Sequence, residues 1–96
     1  MRVIWDPAKN LANQRKHGIS FQEAARLFTS RSNYLVIYDE AHSGDEDRFI
    51  AIGPIRRGTV VVAWTEEVEE DVRIISARWA TARELRLLRS HLGPRP

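Results

Sequence analysis

The sequence contains no cysteine among its 96 residues. This absence excludes a disulfide framework, a thiol nucleophile and a cysteine-ligated zinc site. No apolar run approaches the roughly 18 residues that a membrane helix needs, and the first ten residues lack the apolar segment of a signal peptide. The chain is also too short for two typical cores of about 100–150 residues each. We therefore expect residues 1–96 to form one soluble, cytoplasmic domain.

Lysine is scarce among the basic residues, because only Lys9 and Lys16 are lysines and all the others are arginines. The formal net charge of +2 conceals a segregation, since residues 32–71 hold ten of the 13 acidic residues. Arginine presents five donors in a planar fork that suits phosphate oxygens and carboxylates. Two interpretations stay open: a nucleic-acid-binding surface, or the codon usage of a GC-rich genome.

The first helix is marked at both ends. Asp6 followed by Pro7 is typical of a helix N-terminus, and Gly18 is typical of the residue after a helix C-terminus. A helix from Pro7 to about Lys16 is therefore predicted. Its apolar face is thin and consists of Ala8, Leu11 and Ala12.

Two further helices are predicted from capping boxes, Ser20 with Glu23 and Thr81 with Glu84. A short strand at residues 3–5 comes first in the chain, and four longer strands lie between the second and third helices. The domain is therefore predicted to be α+β, of order β-α-α-β-β-β-β-α. Short connections favour a mainly antiparallel, twisted sheet, and the helices are expected to cover one face of it. The longer strands are predicted at residues 34–38, 48–52, 59–65 and 72–77.

Two arginines lie in or beside the last predicted strand. Because side chains alternate along a strand, Arg73 and Arg78 are expected on opposite faces of the sheet. Only one of them could then join a site on an open face. Each arginine is equally compatible with a salt bridge to Glu46, Asp47 or Glu84.

The segment Lys16-His17-Gly18 lies at the junction of the first two helices. Histidine is the side chain best suited to proton transfer near neutral pH. A structural interpretation stays open, because cationic residues also stabilise the negative end of a helix dipole.

Known catalytic motifs for other chemistries are missing from the sequence. It has no phosphate-binding glycine loop, no nucleophile elbow and no HExxH motif. His42 lies in an acidic loop with Asp39, Asp45 and Asp47, but its spacing matches no calcium loop or helical histidine pair. We therefore predict no metal site.

Several short blocks together resemble the BrnT family of type II toxin–antitoxin toxins, which are small ribonucleases with a RelE-like fold. The resemblance extends from Ile4 to Glu84. It implies an endoribonuclease that uses no cofactor, cleaves RNA and inhibits translation. It also implies a cognate antitoxin, through which alone the system contacts operator DNA. The blocks that carry it are Ile4-Trp5-Asp6-Pro7-Ala8-Lys9-Asn10, Asn13, Lys16-His17-Gly18-Ile19-Ser20-Phe21, Glu23-Ala24, Glu46 with Arg48, and Arg73-Ile74-Ile75-Ser76-Ala77-Arg78.

Metal-free RNA cleavage needs residue types that these blocks contain. A base takes the 2′-hydroxyl proton, the oxygen attacks the adjacent phosphorus, and an acid protonates the leaving 5′-oxygen. Cations stabilise the charge that develops in the transition state. The residues that fit are His17 as acid or base, Glu23 or Glu46 as second proton carrier, Lys16, Arg48 and Arg78 as electrostatic groups, and Arg73, Lys9 and Arg15 as RNA-binding residues.

The chain departs from the family pattern at two places. Glu66 and Glu67 stand where members commonly carry an arginine, and Leu87-Leu88 replaces an aromatic residue in the last helix. Two alternatives therefore stay open. One is a catalytically silent co-repressor of the same fold. The other is an RNA-binding module without an antitoxin, which would stack bases on sheet aromatics such as Tyr34 and Tyr38.

Overall fold

A computed structural model describes residues 1–93, so residues 94–96 of the predicted domain lie outside the described residues. Short 3₁₀ turns occupy Glu40–His42 and Val68–Glu70. Within residues 1–93, no helix has the length and apolar character required to cross a membrane. The helices and strands are, in chain order, β1 (Val3–Ile4), α1 (Pro7–His17), α2 (Phe21–Ala24), α3 (Arg26–Thr29), β2 (Leu35–Tyr38), β3 (Arg48–Ile55), β4 (Gly58–Glu66), β5 (Val72–Trp79) and α4 (Ala82–Leu92).

The five strands form one mixed sheet in the order β1-β5-β4-β3-β2. The strands β2 to β5 pair antiparallel, and only β1 runs parallel to its neighbour β5. A two-residue turn, Arg56-Arg57, joins β3 to β4, since Ile55 pairs with Gly58. The predicted α+β class and the mainly antiparallel sheet are confirmed.

The second predicted helix is in fact two short helices, α2 and α3, so the element order differs from the prediction by one helix. The break follows from a tightened turn, because the Phe28 N–H donates to the Ala25 carbonyl three residues earlier. The turn lets Leu27 and Phe28 both enter the core beside Phe21.

The main core lies between α1–α3 and one face of the sheet. On that face, which we call the main face, Val60 and Val62 of β4 pack with Ala51 of β3. Phe21 and Leu27, both without solvent exposure, cover them from the helices. Burial of this apolar surface is the principal stabilising contribution, at roughly 25 cal/mol per Å² removed from water.

The last helix packs on the other side of the sheet, which corrects the prediction that all helices share one face. Leu88 of α4 contacts Val61 and Ile52, whose side chains alternate with those of the main face. The reason is that β4 is apolar on both sides, so both sides need cover. We call this second side the opposite face.

Helix α1 docks through asparagines rather than through its apolar residues. Asn10 and Asn13 are buried, whereas Leu11 is exposed. The Asn13 amide accepts from the Ala77 N–H at 3.1 Å and donates to the Ala77 carbonyl at 2.8 Å and the Ile19 carbonyl at 3.0 Å. Strand β1 is too short to reach Ala77, so this side chain satisfies the backbone groups that a longer strand would have bound.

Candidate functional site

The sheet gathers most of the carboxylates of the chain at one of its ends. The loops at residues 39–47 and 66–71 contain the ten clustered carboxylates. The first loop joins β2 to β3 and the second joins β4 to β5. Because these strands are antiparallel, both loops lie at the same end of the sheet. The other end carries the Arg56-Arg57 turn and, beside it, the C-terminus of α1. We call these the acidic end and the hairpin end.

Four of the charged side chains at the acidic end form a cluster across three segments. Arg48 of β3 pairs in register with Thr65 of β4, and Thr65 pairs with Arg73 of β5. Arg73 donates to both carboxylate oxygens of Glu46 at 2.8 Å and to Glu67 at 2.6 Å. These hydrogen bonds raise the pKa of Arg73. We call Glu46, Arg48, Glu67 and Arg73 the strand-end cluster.

Within this cluster, Arg48 is only partly satisfied. Its Nε is buried and has no hydrogen-bond partner, and its nearest carboxylate contact is Glu46 at 4.0 Å. A shallow depression beside Arg48 is also lined by Glu46 and His42. The Nδ1 of His42 lies 2.9 Å from a carboxylate oxygen of Asp39. A buried donor without an acceptor is costly in a protein. The Arg48 side chain as a whole is 37% exposed, so the rest of its guanidinium is accessible to an anion.

A β-bulge changes which face the arginines of β5 occupy. The register shifts between Ala63 and Trp64, so Ala63 pairs with Ser76 while Trp64 pairs with Ile74. Because β5 has one extra residue between these two pairs, Arg73 and Arg78 lie on the same side of the sheet. That side is the opposite face, on which Arg48 also lies. The expectation that the strand sends one arginine to each face is therefore wrong.

Arg78 forms a bidentate ion pair with Glu84 of α4, at 2.7 and 2.8 Å. The pair ties the last helix to the sheet beside the capping box of Thr81, which the structure confirms. The Arg78 guanidinium lowers the pKa of Glu84 from its ordinary 4.5 to about 2. Glu84 is consequently a carboxylate, and not a proton donor, at neutral pH.

This ion pair predicts an acid-dependent loss of stability. A carboxyl whose folded pKa is lowered stabilises the folded chain fully above its unfolded pKa, and that contribution disappears as the pH falls towards the folded value. We expect the melting temperature of the wild-type protein to fall more steeply between about pH 5 and pH 2 than that of Glu84→Gln, which cannot ionise. Glutamine keeps the acceptor that caps Thr81. Parallel melting curves for the two proteins would contradict the prediction.

A second group of charged residues lies at the hairpin end. Arg57 donates to the two oxygens of Glu23 at 2.5 and 2.6 Å and to the Gly18 carbonyl at 3.0 Å. Its guanidinium also lies 5.0 Å from the centre of the Trp79 ring. Arg57 lowers the pKa of Glu23. The Ser20 hydroxyl caps α2 as predicted, but the Glu23 side chain binds Arg57 and does not complete the capping box.

The predicted site residues do not meet in one place. His17 is half-buried and Lys16 exposed at the end of α1, next to Gly18 and therefore near Arg57. Arg48 is the first residue of β3, at the acidic end, and the hairpin end of the strand is seven residues or about 24 Å farther along. Its side chain lies on the opposite face. The members at the hairpin end are Lys16, His17 and Glu23; those on the opposite face are Glu46, Arg48, Arg73 and Arg78; and Lys9 and Arg15 are exposed on α1.

Sequence reasoning did not select Arg57 or Glu67 as site residues. Arg57 adjoins Gly58 in a tight turn, and nothing local indicates that it reaches Glu23, 34 positions earlier. Glu67 was noted only as a departure from the family pattern. Its contact with Arg73 depends on the pairing of β4 with β5. Across residues 1–93, no three histidine, aspartate or glutamate side chains are grouped so as to hold a metal ion.

Comparison with known proteins agrees with the fold and the motifs. A family model described as the ribonuclease toxin BrnT of type II toxin–antitoxin systems matches residues 5–84. The structure is similar to the crystal structure of the Brucella abortus ribonuclease toxin BrnT, with a TM-score of 0.64 and 26% sequence identity. The alignment covers 84% of this chain and 97% of the Brucella chain. No curated protein sequence matches significantly.

Proposed function

Since this chain belongs to the BrnT family of ribonuclease toxins of type II toxin–antitoxin systems, we propose that it is a metal-independent endoribonuclease of RelE-like fold. Its substrate is RNA, and cleavage of that RNA inhibits translation in the cytoplasm. A cognate antitoxin neutralises it and supplies the only contact with operator DNA.

We place the cleavage centre at the strand-end cluster. The observation that carries this choice is that Arg48 and Arg73 lie on the same face of the sheet, with only Thr65 of β4 between them in register, and that both contact Glu46. Two guanidinium groups that converge on one open surface suit a phosphate and the extra charge it gains in the transition state. Arg78 lies farther along the same face and extends its positively charged surface beyond Arg48 and Arg73.

We assign to Glu46 the role of accepting the 2′-hydroxyl proton. It lies between Arg48 and Arg73, contacting both. The attacking oxygen then bonds to phosphorus, the bond from phosphorus to the 5′-oxygen breaks, and the 5′-oxygen takes a proton from solvent water. The arginines stabilise the negative charge on the phosphoryl oxygens. Proton transfer by His17, with Lys16 and Glu23 beside it, stays a prediction of the sequence. In this proposal those residues hold the junction between α1 and α2.

The proposal is tested by incubating the purified protein with single-stranded RNA in the presence of EDTA. We expect cleavage to continue, because every group assigned to it is a side chain of the protein or solvent water. A protein that cleaves only after a divalent cation is added would contradict the proposed chemistry.

The same assay tests the inhibitory contact of Glu67. Glu67 holds Arg73 at 2.6 Å and adds negative charge beside the phosphate position. We expect Glu67→Gln to raise cleavage about tenfold, because it removes one of the two carboxylates that neutralise Arg73 and also removes the repulsion of RNA. Glu70→Gln, in the same loop but exposed, is the matched control and should leave the rate unchanged. A rate that falls in Glu67→Gln would show that the carboxylate takes part in catalysis.

A catalytically silent co-repressor is the second candidate function, and the pairing of Glu67 with Arg73 favours it. In that case the wild-type protein binds its antitoxin but leaves RNA intact. Restoring the family's cation with Glu67→Arg is then expected to produce cleavage. Cleavage by the wild-type protein rejects this candidate directly.

A further inference from the structure

Strand β2 forms one edge of the sheet and exposes apolar side chains. Its outer side pairs with no described strand. Val36, Ile37 and Tyr38 are 45%, 36% and 49% exposed. Three consecutive exposed apolar residues place apolar surface on both sides of the edge, because side chains alternate along a strand. Soluble proteins usually protect such an edge with charge, proline or a covering segment.

The backbone of this edge has free hydrogen-bonding groups at defined positions. The Asp39 N–H donates to the Arg48 carbonyl at 2.8 Å, and Tyr38 pairs with Phe49 and Val36 with Ala51. Antiparallel pairs alternate between hydrogen-bonded and non-bonded positions. The N–H and C=O groups of Val36 and Tyr38 therefore point away from β3, towards the free edge. Another extended chain could bind them.

Charge decides what kind of chain fits. Residues 32–47 contain five carboxylates and no lysine or arginine. Two copies of this chain paired edge to edge would bring both sets of carboxylates together, and their repulsion disfavours self-association. A segment that carries lysine or arginine beside apolar residues is complementary in both charge and hydrophobicity.

We propose that β2 binds, by strand addition, an extended segment of a different protein that combines apolar and basic residues. This inference rests on the proposed function, in which the partner is the antitoxin. Tyr38 pairs with Phe49, and the Asp39 N–H donates to the Arg48 carbonyl. A chain bound along the whole of β2 therefore reaches the acidic end of the sheet, with only β2 between it and Arg48. Residues that follow the bound segment are then close enough to the strand-end cluster to compete with RNA for Arg48.

The backbone part of the proposal is tested with Val36→Pro. Proline removes the Val36 N–H, which points to the free edge, so the bonds between β2 and β3 are preserved. Binding is measured by calorimetry with the product of the adjacent reading frame. We expect the dissociation constant to rise roughly 100-fold. Circular dichroism and melting temperature establish that the variant is folded.

The side-chain part is tested with a charge pair at the same position, which does not depend on the proline variant folding. We expect Val36→Lys to weaken binding about 30-fold and Val36→Glu only about threefold, because the partner is cationic. Leu11→Lys is the matched control, since Leu11 is an exposed apolar residue of α1, and it should bind like wild type.

Unchanged binding in both Val36→Pro and Val36→Lys would overturn the proposal. A stable dimer of the isolated chain that Val36→Lys converts to monomer would overturn the assigned occupant in favour of a second copy. Neither result depends on RNA cleavage by the free protein, so failure of the docking site and failure of the ribonuclease assignment are separate outcomes.

Discussion

RNA cleavage by Arg48→Ala is expected to fall about 10²–10³-fold, the loss typical when one preorganised donor to a developing anion is removed. The melting temperature should change little. Arg48 makes only a long contact of 4.0 Å with Glu46, and its buried Nε is unsatisfied. Truncation therefore removes a costly orphan donor together with the charge. The measurement pairs single-turnover cleavage with a melting curve on the same preparation.

Two variants show whether the loss is specific. Arg48→Lys keeps the charge but not the planar fork, so it should recover only part of the rate. His17→Gln keeps a polar side chain of similar size and cannot titrate. Because His17 lies at the hairpin end, we expect its cleavage rate to stay within about threefold of wild type, whereas a proton carrier would lose about 10²–10⁴-fold. A collapse in His17→Gln with a normal Arg48→Ala would move the centre to the hairpin end.

The largest effect on stability is expected for Asn13→Ala. The substitution leaves the Ala77 N–H and the carbonyls of Ala77 and Ile19 without their partner inside the protein. Each unsatisfied buried group costs about 1–3 kcal/mol, and partial entry of water offsets some of that cost. We expect the free energy of unfolding to fall by about 3 kcal/mol. Urea denaturation of both proteins measures it.

Gln14→Ala is the control on the neighbouring position of α1. Gln14 is exposed, and its amide donates only to the Asn10 side chain, at 3.2 Å, so we expect a loss below about 0.5 kcal/mol. A loss below about 1 kcal/mol in Asn13→Ala would mean that water replaces its hydrogen bonds at little cost.

Several features that depend on neighbouring residues were predicted correctly from the sequence. Asp6 caps α1, Gly18 ends it with φ of 69°, and Thr81 with Glu84 forms a complete capping box. The strand predicted at residues 59–65 is β4, which is apolar on both faces. These features need only contacts within a few residues, so the local pattern contains the whole cause.

Features that depend on contacts between distant residues were not predicted correctly from the sequence. The thin apolar face of α1 is exposed at Leu11, because Asn13 instead supplies hydrogen bonds to a strand 64 positions later. The face of Arg78 could not be predicted, since one bulge reverses the alternation that the prediction used. The side on which α4 packs depends on which face of the sheet carries Val61. That face is set by strand pairing between residues that lie far apart in the sequence.

By itself the sequence determined the class of fold, the family and the segregation of charge, because composition, capping residues and motif blocks are properties of the chain as written. Only the tertiary structure decided that the ten carboxylates share one end of the sheet, that Arg48, Arg73 and Arg78 share one face, and that His17 lies apart from them. Strand register and chain reversal set those positions. Both follow from packing and backbone pairing between residues far apart in the chain, which residue spacing does not encode.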